Sequence, residues 1–148
     1  MKFENSVVIV RPVERVFEFV TNLQNNPIWQ TDIMELEMTS ENHYGLGAAY
    51  RCVNRFMGKR IESEGIVTDY KPSKICCLQI TSGDFAAECN MVFETVEDGT
   101  KFTASGVYDP GLFKLFKMIV KRKVNQQMEK DMLKLKNVLE NGRKLKLH

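Results

Sequence analysis

"KICCLQITSGDFAAECNMVFETVEDGTKFTASGVY", residues 74–108, holds three runs of alternating apolar and polar residues, separated by "SGD" and "EDG". Alternation of period two marks strands that bury one face, and breaks carrying Gly and Asp are short hairpin chemistry. A tight turn fixes which residues of two strands share a face, because a slip of one residue turns every side chain over. A two-residue turn at Asp98-Gly99 sets Phe93 opposite Ala104 and Met91 opposite Gly106. A matching turn at Ser82-Gly83 sets Ile80 opposite Phe85, Leu78 opposite Ala87 and Cys76 opposite Cys89.

Upstream, "AAYRCVNRF" and "KRIESEGIVTDY" extend the meander through turns at Met57-Gly58 and Lys71-Pro72. Carrying the parity across them gathers Tyr50, Cys52, Asn54, Phe56, Ile61, Ser63, Gly65 and Val67 onto the face that holds Cys76, Leu78, Ile80, Phe85, Ala87, Cys89, Met91, Phe93, Phe102, Ala104, Gly106 and Tyr108. None of these is charged. The opposite face takes Arg51, Arg55, Arg60, Glu62, Glu64, Glu88, Glu94 and Lys101, so one register separates solvent from interior. "FENSVVIV" reads as a first strand, and "DIMELEM" alternates with Met34, Leu36 and Met38 on one side. Between them, Pro12 suits the first turn of a helix carrying Val16, Phe17 and Val20. "TNLQNNP" reads as a short helical turn or loop, broken at Pro27, before the chain's one tryptophan, Trp29. From Gly111 to about Leu139 the pattern becomes helical, with Phe116, Val120, Val124, Met128, Met132, Leu135 and Leu139 at spacings of three or four. The expected fold class is α+β, with seven antiparallel strands around one long C-terminal helix.

At 148 residues and a formal charge of +2, residues 1–148 are expected to form one domain, burying roughly 70% of the unfolded surface. No run approaches the roughly 18 apolar residues of a membrane span, and "MKFENSVVIV" lacks the features of a signal peptide. A soluble cytoplasmic protein is the expectation. Cys52, Cys76, Cys77 and Cys89 lie in strand-like runs without metal spacing and read as buried reduced thiols. His43 and His148 assemble no metal site, and neither metal nor cofactor is expected. Charge is divided: residues 111–148 carry 11 Lys/Arg against three Asp/Glu and residues 1–110 carry 10 against 16, about +8 and −6.

The inner face mixes large residues with Cys52, Ser63, Gly65, Cys76, Ala87, Cys89, Ala104 and Gly106. Small side chains beneath one helix leave volume unfilled, unless the curved sheet closes onto the helix. An unfilled volume is an apolar ligand cavity, with Trp29, Tyr50, Asn54, Phe56, Leu78, Phe85, Met91, Phe93, Phe102, Ala104, Gly106, Tyr108 and Phe116 as candidate contacts. Its polar groups would be Tyr50, Tyr108, Asn54, Ser63 and thiols, with no histidine or carboxylate to activate them; Asp69 and Glu64 would reach it only through a different register or a bulge. No catalytic residue is assigned. Lys114, Lys117, Lys121, Arg122 and Lys123 form a basic band that suits an anionic lipid headgroup, a membrane surface, RNA or an acidic protein. Lack of interleaved aromatics argues against nucleic acid. Val53, Ile66, Ile75, Val92 and Val107 on the outer sheet face are where a homodimer contact would form.

The order strand, helix, short helix ending in Pro and Trp, long meander and terminal helix resembles the helix-grip fold of the START/Bet v 1-like (SRPBCC) superfamily. Within it the chain is most similar to the polyketide cyclase/dehydrase-like group. The matching stretches are "RPVERVFEFVTNLQNNPIWQ", "GLGAAYR", "GIVTDYKPSKI", "DGTKFTASG" and "DMLKLKNVLEN". The resemblance implies two short helices cradling the long one, with Trp29 near a cavity rim. Members include lipid carriers, hormone and metabolite binders, aromatases and cyclases, so fold constrains function loosely. The residues fit best a carrier, sensor or sequestering protein for a small hydrophobic or aromatic ligand. The alternative is a cofactor-free cyclase, aromatase or dehydratase, and the third reading is an interaction module using the basic helix.

Overall fold

The period-two runs form seven antiparallel strands in the computed structural model, which describes residues 1–82 and 85–146. They are β1 (Lys2–Ile9), β2 (Ile33–Met38), β3 (Ala49–Phe56), β4 (Lys59–Lys71), β5 (Ile75–Ser82), β6 (Phe85–Val96) and β7 (Gly99–Asp109). Their order, β1-β7-β6-β5-β4-β3-β2, is a meander whose last strand is closed by the first. Between β1 and β2 come α1 (Val13–Thr21), a 3-10 turn (Leu23–Asn25) and α2 (Asn26–Trp29). After β7 a 3-10 segment (Gly111–Phe116) runs into α3 (Lys117–Lys146), so the fold is a helix-grip, and α3 starts later and runs further than the apolar spacing predicts. Pro27 does not break the chain. It sits in the first turn of α2, where a missing N–H costs nothing.

Two hairpins differ from the expected register by two residues. Glu97 and Asp98 form the β6–β7 turn, so Phe93 faces Phe102 and Met91 faces Ala104. Ser82 pairs with Phe85, which sets Ile80 opposite Ala87, Leu78 opposite Cys89 and Cys76 opposite Met91; Gly83 lies outside the described residues. A shift of two preserves the face of every side chain, so the separation of charged from apolar residues stands although the partners change. Gly99 is extended into a conformation (φ 151°) that favours glycine, and a Cβ there would meet the Ile9 carbonyl oxygen at 2.2 Å. The expected β3–β4 turn forms at Met57 and Gly58, both at positive φ (51° and 79°), as a type I′ hairpin requires.

Bulges alter the pattern at two places. In β4 the register shifts between Val67 and Asp69, leaving Asp69 exposed and bringing Tyr70 opposite Cys76 and onto Phe17. In β2 the shift between Ile33 and Glu35 puts Ile33 with Leu36 and Met38 on the inner side, while Met34 is half exposed. Outside, Val53 is buried rather than available for a dimer. Its partners in the ladder are Glu35 and Glu62, which with Arg51 and Arg60 form ion pairs of 3.5–3.9 Å across it. Ile75 and Val92 are partly covered; Ile66 and Val107 are exposed.

The second half of α3 is fastened to the end of β1. Lys136 Nζ donates to the Val8 carbonyl at 2.7 Å and pairs with Glu140 at 2.6 Å, while Glu140 accepts the Val10 N–H at 2.8 Å. Arg11 donates to the Glu140 carbonyl. Its first half presents Lys117, Lys121, Arg122 and Lys123 to solvent, preceded by exposed Lys114 and Phe116. Among the described residues no helix is long and apolar enough to cross a membrane.

Candidate functional site

Inside the grip, the space under α3 is filled at one end and hollow at the other. Phe17, Phe93, Phe102 and Trp29 form a chain of aromatic contacts at centroid spacings of 4.9, 5.0 and 6.3 Å. Ile9, Val16, Val20 and Leu135, none more than 1% exposed, complete that end. Beyond Phe102 the β6–β7 ladder carries Ala104, Cys89 and Ala87, and Ser63 stands on β4. These small side chains leave a cavity of 320 Å³, within the range of small-molecule sites.

Of the anticipated contacts, Trp29, Tyr50, Asn54, Phe56 and Leu78 line this cavity, as do Phe85, Met91, Phe102, Ala104 and Tyr108. Three stand elsewhere. Phe93 is packed between Phe17 and Phe102 in the filled end. Gly106 lies where strands approach closely, since a Cβ there would sit 1.8 Å from the Glu88 carbonyl oxygen. Phe116 is 53% exposed, because the 3-10 segment takes it off the α3 stripe; Phe113 instead meets Phe56 edge-on at 5.6 Å and lines the wall. Val120, Val124, Met128 and Met132 form the α3 side. Opposite them the Tyr50 ring lies on Gly65, whose absent Cβ would be 2.4 Å from two ring carbons.

The walls also hold two carboxylates that the strand parity does not reach, Asp32 and Asp131. Asp131 is a helix residue, three after Met128 and four before Leu135, and this spacing on the apolar stripe is the signal that reveals it. Asp32 lies in the turn between α2 and β2. Asp131 Oδ1 accepts from Gln127 Nε2 (2.9 Å), the Thr31 N–H (3.2 Å) and Thr31 Oγ1 (3.3 Å). Asp32 Oδ2 accepts from Asn54 Nδ2 at 3.2 Å, and Asn54 Oδ1 accepts in turn from the Cys52 thiol at 3.1 Å.

Burial pushes the Asp131 carboxyl up to about 6, and the neighbouring Asp32 adds to the rise while Thr31 and Gln127 oppose it. Burial likewise raises Asp32, against the bond from Asn54. Burial drives the Tyr50 hydroxyl far above its ordinary value and pushes the thiols of Cys52 to about 11 and of Cys76 and Cys89 to about 12, so at neutral pH all four are uncharged. Cys77 is half-buried. Among the described residues lining the cavity, no Lys, Arg or His appears, and no group of three or more potential metal ligands is assembled. The Trp29 indole nitrogen and the Tyr108 hydroxyl are buried without a hydrogen-bond partner.

A family model for polyketide cyclase / dehydrase and lipid transport proteins matches residues 1–140. Among solved structures the chain is similar to TTHA0849 from Thermus thermophilus (20% identity, TM-score 0.77, covering 94% of this chain and 97% of that one). It is also similar to the Zhui aromatase/cyclase from a Streptomyces species (11%, 0.77, 95% and 94%) and to Ara h 8.0201 (14%, 0.69, 94% and 97%). At these identities the likeness is one of fold. No curated protein matches the sequence.

Proposed function

Because this chain belongs to the polyketide cyclase / dehydrase and lipid transport family, we propose that it carries, senses or sequesters a small hydrophobic or aromatic molecule in the space between sheet and α3. The observation that supports this is the cavity itself: 320 Å³ walled mainly by aromatic, aliphatic and thiol side chains, inside a fold whose other end is tightly filled. Burying an apolar ligand there recovers the transfer free energy and dispersion contacts that the void forgoes, at about 25 cal/mol per Å² of apolar surface removed from water. Native mass spectrometry of the protein after incubation with a lipophilic extract tests the reading. A retained, chemically unchanged ligand supports it; a protein that stays empty across such extracts sinks it.

A second reading is a cofactor-free cyclase, aromatase or dehydratase. It is favoured by Asp131, a wall carboxyl whose pKa of about 6 suits proton transfer near neutrality. In the same experiment this reading predicts a product that accumulates with time, lighter by one water for a dehydratase or aromatase and, for a simple cyclisation, equal in mass but different in chromatographic retention.

A further inference from the structure

The polar groups of the cavity are not spread evenly, and their chemistry restricts the molecule that fits. Asp131 is 8% exposed, and its Oδ1 is saturated by three donors from Thr31 and Gln127, while among the described residues its Oδ2 accepts nothing. Asp32 Oδ2 is held by Asn54, and its carboxyl also takes a hydrogen bond from its own backbone N–H. The groups packed around the pair are Thr31 and Asn54 from the β2–β3 side, Gln127 from α3 and the neutral Cys52 thiol. All are neutral, and no cationic residue lines the cavity among those described. Two carboxylates within Coulombic reach in a low-dielectric pocket repel each other and any third anion, and they gain from a cation.

We propose that the cavity takes a hydrophobic amine, its apolar body in the hollow end and its protonated nitrogen against Asp131 and Asp32. This rests on the ligand-binding reading of the cavity. An ammonium brings up to three donors to Asp131 Oδ2 and the neighbouring Asp32 carboxyl, and it neutralises charge that no cationic side chain of the described lining offsets. A hydroxyl offers one donor and no charge, and a carboxylate adds a third negative group. The discrimination is therefore set by repulsion as much as by attraction. A fatty acid, with its carboxylate head, is therefore the kind of cargo that this site disfavours most.

Three molecules with one skeleton, 4-phenylbutylamine, 4-phenylbutan-1-ol and 4-phenylbutanoic acid, separate the head-group effect from burial. Titration is followed by fluorescence of the single Trp29, and checked by the thermal midpoint, which rises with any ligand of the folded state. At pH 7.5 the amine is expected to bind at least tenfold more tightly than the alcohol, with the acid weakest. In Asp131→Asn and in Asp32→Asn the amine's advantage over the alcohol, both measured on the same variant, should fall at least fivefold. In the unmutated protein that advantage should shrink as the pH is lowered through 6, a measurement that needs no variant to fold. An alcohol binding as well as the amine, or an amine preference unchanged in both variants, overturns the inference and leaves the cavity reading standing. Failure of all three to bind also overturns it; coupled with an empty protein in the extract experiment, it removes the cavity reading too.

Discussion

The two ends of the inner sheet face are built from the same strands and roofed by the same helix, yet one is solid and the other hollow. In β6 and β7 the change takes two residues: Phe93 faces Phe102, and the next inward pair is Met91 with Ala104. On the solid side, Trp29, Phe17, Ile9 and Leu135 close around the phenyl rings. On the hollow side, Ala87, Cys89, Ala104 and Ser63 offer too little volume to meet Val120 and Val124 across the gap. Close packing and void are thus given to separate stretches of the same ladder. The filled end holds the fold, which lets the other end carry void and buried carboxylates at a tolerable cost.

Substitution should expose that division of labour. The largest effect is expected from Phe102→Ala, since this ring is fully buried between Phe93 and Trp29. A loss of about 3–5 kcal/mol in urea unfolding is expected, and a loss under 1 kcal/mol would erase the contrast between the ends. Next comes Asp131→Asn, which should stabilise. The folded chain binds this proton more tightly than the unfolded chain, with a value near 6 against 3.8, so stability falls as the pH rises through that window. Asparagine retains an acceptor for Thr31 and Gln127 without the charge, and at pH 7 a gain of about 2–3 kcal/mol follows from the shift. Unfolding curves at pH 4 and pH 7 check this: the variant's advantage should be small at the first and full at the second. The smallest effect on stability belongs to Ala104→Leu, which grows into the void and should change it by less than about 1 kcal/mol while abolishing ligand binding. In a filled core the same change would overpack and cost about 1–3 kcal/mol.

Much of this division is legible in residue types alone. The charges of β3, β4, β6 and β7 fix which face is inside, and the small residues on that face announce the hollow even though two hairpins pair two residues away from expectation. What resists reading is local. The β4 bulge that turns Tyr70 inward, and the β2 bulge that exchanges Ile33 for Met34, depend on backbone choices that period-two counting does not contain. Phe116 fails for a related reason, since a 3-10 turn advances 120° per residue and displaces a side chain that α-helical spacing would point inward. Asp131 was within reach. A carboxylate interrupting an apolar helical stripe carries the same information as a charge on a buried strand face, and parity applied to strands alone passes it by. Asp32 lies in a turn, where no periodicity exists to place it.

Tyr50 is the wall residue whose position is set from outside the wall. Its ring rests on Gly65, which is not among the residues lining the cavity, and one methyl group at that site would stand 2.4 Å from two ring carbons. The phenol would have to swing away from Gly65 on the neighbouring strand, into the cavity. The bore of this pocket is therefore adjustable from behind, by a change that no guest molecule touches. A chain of this architecture can be re-gauged for a smaller cargo through a residue that a catalogue of binding contacts would omit.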